Sequence, residues 1–325
     1  MKSESLQFSE TTEYPAWDAG VELSPQGTVF SRSAFLRSLN APFKLFTVSN
    51  AHQTVALVSV VEDSDGNAVR YPYTPYQGIL FLQPRHALPR QRILDEFRIT
   101  AFVVDRLAER YRSIDMAMCW TFEDLRPFLW FNHHQPAAGQ FTAIPRYTGL
   151  LDLTRLDADG YQAAIRSSRR QELKKAADYT VREHGDLGDF MRLYESTFAR
   201  QDITLDNATR NLVESIASHA LAQGYARLSS CSTADGIAAM SLFLYDSKRA
   251  YYMFAANQPA LRNSGAATRL MFENVLEAKR RGMKEIDFVG VNSPDRGDYK
   301  LSFNPELKLY FTLDYARGDA PGAVQ

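Results

Sequence analysis

The chain has 325 residues, 45% hydrophobic and 23% charged, the makeup of a globular protein with material for two cores of roughly 150 residues each. Lys and Arg number 37 against 38 Asp and Glu, so no global field recruits nucleic acid or an anionic membrane, and an anionic ligand has to be met by a local patch. The opening MKSESLQFSE lacks the apolar core of a secretion signal, and no stretch approaches the ~20 apolar residues of a bilayer span, which predicts a cytoplasmic protein.

In chain order, AWDAGVELS and SRSAFLRSL read as short helices, followed by the strands FKLFTVS and TVALVSVVE. The turn DSDGN leads into an aromatic strand ending in YPYTPYQGILFL. A long helix follows from about Arg90 to Arg110, with Ile93, Phe97, Ala101, Val104 and Leu107 on one side, and then the strand IDMAMCWT. IPRYTGLLDLT reads as a strand crossing into a second unit. That unit begins with the helices YQAAIRSSRRQELKKAA and LGDFMRLYESTFARQ, then the strands YARLSSCS, IAAMSLFLYD and RAYYMFAA. Ala267, Leu270, Met271, Asn274, Val275 and Ala278 recur on one helical face, which closes at AKRRGM before the strand EIDFVGV. The two halves share a plan, and the boundary expected from it gives domains 1–147 and 148–325.

The halves differ in the loop that opens the long helix. The second carries Arg262, Asn263, Ser264, Gly265, Ala266 and Ala267, whereas the first has QPRHALPRQRI, with Pro84 and Pro89 and no glycine. Proline removes a backbone donor and glycine frees one, so only the second loop can lay successive N–H groups against a pyrophosphate at a helix N-terminus. The other reading of Gly265 is relief of crowding at a strand-to-helix turn.

The R-x-x-G-x-A of Arg262 to Ala267, between a strand and an amphipathic helix, is similar to the acyl-CoA pyrophosphate loop of the GNAT acyltransferases. Three further stretches resemble one branch, the two-domain proteins that include Fem-type peptidyltransferases and sugar N-acyltransferases of surface-polysaccharide loci. They are SPQGTVFSRSAFLRSL, SSRRQELKKA with FMRLYESTFAR, and IDFVGVNSPDRGDYKLSFNPELKLY. The resemblance implies an α+β (mixed α/β) fold of two tandem GNAT-like domains, each a mostly antiparallel mixed sheet flanked by helices. It makes the second domain the catalytic one and the first a degenerate, acceptor-side partner. It also implies acyl-CoA as donor, with Ala255, Ala256 and Asn257 offering main-chain groups to the pantetheine arm.

The acceptor implied by the likeness of RYPYTPYQGILF to members of polysaccharide loci is the amine of a dTDP- or UDP-linked amino sugar, serving lipopolysaccharide or O-antigen biosynthesis. The alternatives are an aminoacyl-tRNA-dependent Fem-type ligase acting on a peptidoglycan precursor, and a non-catalytic nucleotide-sugar binder. No heptad run of the kind carried by many Fem-type enzymes is present. Neither a nucleic-acid partner nor a metal is expected, and both a monomer and a homodimer fit.

Direct attack by an amine needs a held thioester and a stabilised oxyanion but no covalent nucleophile. An amine with a pKa near about 8 is already partly neutral in the cytoplasm, which limits the demand on a base. Asp287, in a strand suited to burial, is either that base or a carboxylate satisfied by backbone donors. Asn292 stands where relatives contact cofactor or substrate, and Lys300 holds the lysine position of an F-K-x-x-F-like segment, either on a phosphate or on the surface. Here the first aromatic is Tyr299, and Asn304 replaces the usual glycine. Tyr73, Tyr76 and Gln77 face the acceptor or are plain strand residues. Arg166, Arg169, Arg170 and Lys174 fall near one helical face as a cationic ridge for the sugar-nucleotide diphosphate, a solvated surface or, third, an RNA patch.

The remaining candidates are set aside. Adjacent His133 and His134 point to opposite faces of a strand and cannot share a metal. DSDGN lacks the closing glutamate of a calcium loop. Cys119 and Cys231 read as small buried hydrophobes.

Overall fold

The computed structural model describes residues 5–82, 88–199 and 204–318. The chain folds as two units, one taking the residues up to Arg146 and those from Leu309 onward, the other Tyr147–Lys308. The elements of the first are β1 (Gln7–Glu10), α1 (Tyr14–Leu23), α2 (Ser33–Ser38), β2 (Phe43–Ser49), β3 (Thr54–Glu62), β4 (Ala68–Val69), β5 (Gly78–Phe81), α3 (Pro89–Arg110), β6 (Ser113–Ala117) and α4 (Arg126–Trp130). β7 (Phe141–Asp152) carries the chain into the second unit. There follow α5 (Ala158–Ala164), α6 (Ser167–Lys175), β8 (Thr180–Glu183), α7 (Leu187–Ala199), α8 (Asn207–Ala222), β9 (Ala226–Thr233), β10 (Gly236–Tyr245), β11 (Arg249–Asn257), α9 (Ala266–Arg280), β12 (Glu285–Asp287) and α10 (Pro294–Leu301). β13 (Glu306–Ala316) returns to the first unit.

That return moves the boundary expected from sequence. Thr312 to Ala316 pair antiparallel with Ala117 to Ser113 of β6, and Leu313 and Tyr315 enter the core beneath α3, so the residues from Leu309 belong to the first unit. The ladder hydrogen bonds of β6 require a partner strand, and the chain's last strand supplies it.

In the first unit β1, β2 and β3 form an antiparallel run, with β5 and β4 pairing one after the other along the far edge of β3. β4 then runs parallel to β6, the pair being connected through α3. Val58, Val60, Ile79, Val103, Val104 and Leu107 are among the buried residues between this sheet and α3. The aromatic strand read from sequence is shorter than expected. Only Gly78–Phe81 is strand, because Tyr73 has φ +62° and breaks the extended path of the tyrosines before it.

The second unit repeats the plan, with strand order β7–β12–β11–β10–β9–β8. β10 pairs antiparallel with β9 and β11, and β11 pairs parallel with β12 through the α9 crossover. α9 buries Leu270, Met271, Phe272, Val275 and Ala278, the face read from its periodicity, each large apolar side chain contributing about 1.5–3 kcal/mol. Its end is also as read, with Lys279 and Arg280 in the last turn and Gly282 at φ +80° just beyond. One expected helix is two. The chain breaks at Ile165 and Arg166, both extended in ψ, which turns α6 to pack on α9.

A half-paired strand and an uncapped helix end form the candidate site

β11 pairs with β10 along its length but with β12 only at Arg249, Ala250 and Tyr251. Beyond Tyr251 no strand among the described residues covers that edge. The register against β10 slips between Leu242 and Phe243, which face Phe254 and Tyr252, so Met253 is a bulged residue without an opposite number. A bulge bends its strand and increases local twist, here at the point where β11 parts from β12. On the other side, Gln258 N–H donates to Ala238 C=O. By antiparallel alternation Asn257, opposite Ala239, turns its N–H and C=O to the uncovered edge.

α9 opens beside this edge. Gly265 is its N-cap residue with φ +88° and supplies no side-chain cap, and the first turn carries no acidic residue. Such an end presents N–H groups and positive potential to an anion. A small, shallow crevice lies between α9 and the strands, lined by Ser241, Tyr252, Ala255, Asn257, Ala267 and Met271 among others.

The crowding reading of Gly265 finds support in its surroundings. A Cβ there would lie 2.6 Å from the Glu172 carbonyl oxygen of α6, so the glycine does relieve crowding. The loop is fastened to the same helix, since Lys175 Nζ donates to Asn263 C=O at 2.5 Å. Ser264 Oγ accepts from Ala266 N–H at 3.2 Å, and Arg262 is exposed.

The acyl-arm residues are partly engaged. Ala255 and Ala256 end β11, with Ala256 buried, but the edge groups of Asn257 are met by Thr197 of α7. Its hydroxyl accepts from Asn257 N–H and lies within donating distance of Asn257 C=O, both at 3.0 Å. A donor arm pairing at Asn257 has to take that place.

The expected acceptor ridge is dispersed. Arg166 forms a bidentate pair with Asp298 at 2.7 and 2.8 Å, and Arg170 Nη1 donates to the carbonyls of Ala163 and Ile165. Arg169 faces α9 rather than an acceptor. Its guanidinium lies over the Tyr299 ring, 5.1 Å from the centroid, and Nη1 donates to Glu172 Oε2 at 2.6 Å and to Thr268 Oγ1 at 3.1 Å. Lys174, by contrast, is exposed to solvent. The break at Ile165–Arg166 causes the dispersion by making Arg166 an N-cap residue instead of a turn of one continuous helix.

Tyr76 is 1% exposed, with its ring edge-on to Phe30, Trp120 and Tyr310, so it is a core residue and not a substrate contact. Gln77 is likewise buried, its N–H donating to Ala117 C=O. Tyr73 is half-buried. Pro84 lies outside the described residues.

Three further expectations change. Asp287 is wholly buried and its Oδ1 accepts from Thr148 Oγ1 at 2.5 Å and Val289 N–H at 2.8 Å, so that oxygen is taken up by local donors and the carboxylate is enclosed rather than facing an amine in solvent. Asn292 spends its amide on the Tyr147 main chain, accepting from N–H at 2.8 Å and donating to C=O at 3.0 Å. Lys300 points inward, Nζ donating to the carbonyls of Val289 and Gly290, both at 2.9 Å, with the Tyr252 ring 5.7 Å away. Burial brings its ammonium down to about 8, against the opposing pull of the Asp287 charge.

Tyr299 Oη donates to Ala267 C=O at 3.1 Å, and burial raises the Tyr299 and Tyr252 phenols above their usual range, keeping both protonated at neutral pH. Burial likewise pushes the Cys231 thiol up to about 11, an inert group. Met253, Thr148 and Thr197 escaped the sequence reading because nothing in their residue type marks a bulge or a main-chain contact across the fold.

Residues 161–301 match the acetyltransferase (GNAT) domain family model. The second unit carries a GNAT acetyltransferase domain. The protein is thereby an acyltransferase, and its fold extends the likeness to the whole chain. It is similar to FemX, with 13% identity, 94% of this chain and 96% of that one covered, and a TM-score of 0.66. It is similar also to a tandem GNAT protein from the clavulanic acid biosynthesis pathway, at 11% identity, 97% and 99% coverage and a TM-score of 0.57. L-PGS from Bacillus licheniformis aligns at 11% identity, 96% and 95% coverage and a TM-score of 0.54. These likenesses establish two tandem GNAT-like domains of mixed α+β architecture. No curated protein matches the sequence. Among the described residues no helix is long and apolar enough to cross a membrane, and no group of three or more His, Cys, Asp or Glu side chains is placed to hold a metal.

Proposed function

We propose that the protein is an acyl-CoA-dependent N-acyltransferase whose second unit binds the donor. The observation that carries this reading is the uncovered edge of β11 beside the uncapped amino end of α9, with the crevice between them. A pantetheine arm has main-chain donors and acceptors to pair with along that edge. A pyrophosphate finds N–H groups and a favourable dipole at Gly265 to Ala267.

The chain's own contribution to the chemistry is positioning and polarisation. The bulge at Met253 turns a peptide group out of the β10 ladder, and a main-chain N–H there is a donor for the thioester oxygen as negative charge develops on it. The acceptor amine attacks the thioester carbon directly, the C–S bond breaks, and the proton lost by the amine leaves with the sulfur as the free thiol; Tyr252, which lines the crevice, stays protonated. With Asp287 enclosed, the amine enters largely neutral, as suits a group with a pKa near about 8.

For the acceptor, the amine of a nucleotide-linked amino sugar remains the proposal that the resemblance of Arg70 to Phe81 supports. Of the second-unit residues expected to hold it, Arg166 and Lys174 are exposed, with Arg166 already paired to Asp298. The test is free-thiol release when the protein is mixed with a panel of acyl-CoAs and dTDP- or UDP-amino sugars, with simple amines and charged tRNA in parallel. Thiol release with an amine supports the donor assignment. Transfer from aminoacyl-tRNA without thiol release would replace it with the ligase reading.

A further inference from the structure

After β12 the chain stays with β7 while it leaves β11. Phe288 N–H donates to Gly149 C=O and Val291 N–H to Tyr147 C=O, both at 2.9 Å, so Val289 and Gly290 together stand opposite Thr148 alone. Both bulged residues are left-handed, Val289 at φ +53° and Gly290 at +72°. For a β-branched residue that conformation is an outlier which persists only where surrounding contacts impose it.

The contacts come from three side chains. Asp287 Oδ1 takes the Val289 N–H, and Thr148 Oγ1 takes the Gly290 N–H at 3.1 Å while donating to Asp287. Lys300, reaching from α10, takes both carbonyls. Every peptide group of the bulge is therefore held by a side chain, and the bulge is where the path parallel to β11 ends.

We propose that Asp287, Thr148 and Lys300 are positioning residues for acyl transfer, a clamp that diverts the chain after β12 and so keeps the β11 edge open to the donor arm. This rests on the donor reading above. Released from the clamp, Val289 relaxes toward an extended conformation, and the strand can pair further along β11 over the main-chain groups the donor needs. The side chains act on the backbone and not on reacting atoms. The groups facing the Lys300 ammonium are Asp287 on β12, the Tyr252 ring on β11 and Arg296 on its own helix. Burial favours the neutral amine, which still has two N–H donors for the two carbonyls, so the clamp holds as pH rises above ~8.

The test titrates acetyl-CoA by calorimetry into the full chain and its Lys300→Met, Lys300→Arg and Thr148→Val variants at pH 7 and 9.5, with thermal unfolding of each. Lys300→Met is expected to raise Kd about tenfold at pH 7, and Lys300→Arg to stay near the wild type. By the same linkage the clamped conformation is favoured as pH rises, so the wild-type advantage over Lys300→Met should be kept or enlarged at pH 9.5. Equal affinity of folded Lys300→Met and wild type overturns the clamp. If Lys300→Met does not fold, an unchanged Kd in Thr148→Val overturns it. A wild type that binds no acetyl-CoA fails the donor reading itself and takes the clamp with it.

Discussion

Arg169 Nη1 lies 3.1 Å from Thr268 Oγ1, which ties the middle of α6 to the first turn of α9. The same turn is the proposed pyrophosphate site, and Glu172, hydrogen-bonded to both residues, completes a half-buried polar triangle there. Arg169 therefore lies beside the proposed donor site, although its place in a basic run associates it with the acceptor. Truncating it leaves Glu172 without its cation and loosens the α9 end. Arg169→Ala is expected to raise the KM for acyl-CoA several-fold and leave that for the amine unchanged. Two-substrate kinetics decide it, and a rise confined to the amine KM would restore the acceptor role.

Gly265 is constrained twice, by φ +88° and by the Glu172 carbonyl 2.6 Å from where a Cβ would sit. Gly265→Ala should lower unfolding stability by at least about 2 kcal/mol as well as weaken acyl-CoA binding. Urea unfolding and calorimetry on the same preparation give both numbers. Lost affinity at full stability would mean that the contact with α6 is slack.

Folding lowers the Lys300 pKa from 10.5 to about 8. Between those values the unfolded chain holds more protons than the native one, so this group's contribution to stability increases as pH rises through that window. The wild type should therefore gain stability relative to Lys300→Met between pH 7.5 and 9.5 in urea titrations. A difference that shrinks or stays level would contradict the buried charge.

Asn292 and Tyr76 should separate structure from chemistry. Asn292→Ala removes two hydrogen bonds to the Tyr147 main chain, a loss of roughly 0.5–1.5 kcal/mol each, and kcat is expected to be little changed. A fall in kcat at constant stability would return Asn292 to the reacting groups.

Tyr76→Ala empties a site packed by Phe30, Trp120 and Tyr310, so destabilisation of about 3–5 kcal/mol is expected in chemical denaturation. A variant of native stability with a raised amine KM would reinstate Tyr76 as a substrate contact.

Periodicity carried much of the architecture. The face of α9, its stop at Gly282, the strands around it and the repeated order of elements follow from apolar spacing and glycine placement, which are local properties. The helix spanning Tyr161 to Ala177 was misread as continuous because Ile165 and Arg166 carry no breaker residue, and packing of α6 on α9 imposes their extended ψ. The tyrosines of Arg70 to Gln77 matched strand composition, yet Tyr73 at φ +62° leaves the extended path. Residue type records neither event.

By itself the sequence determined the two-unit plan, the helix with a glycine-opened end, and the lack of an equivalent loop chemistry before α3. These depend on side-chain period and on the backbone freedom of glycine and proline. Tertiary structure decided which polar side chains are spent inside the protein and which main-chain groups are left facing outward. Asp287, Asn292, Lys300 and the arginines of α6 look available in a string of letters. Each finds a partner up to 145 residues away, as Asn292 does in Tyr147, and hydrogen-bond satisfaction across such separations is settled only when the chain has folded.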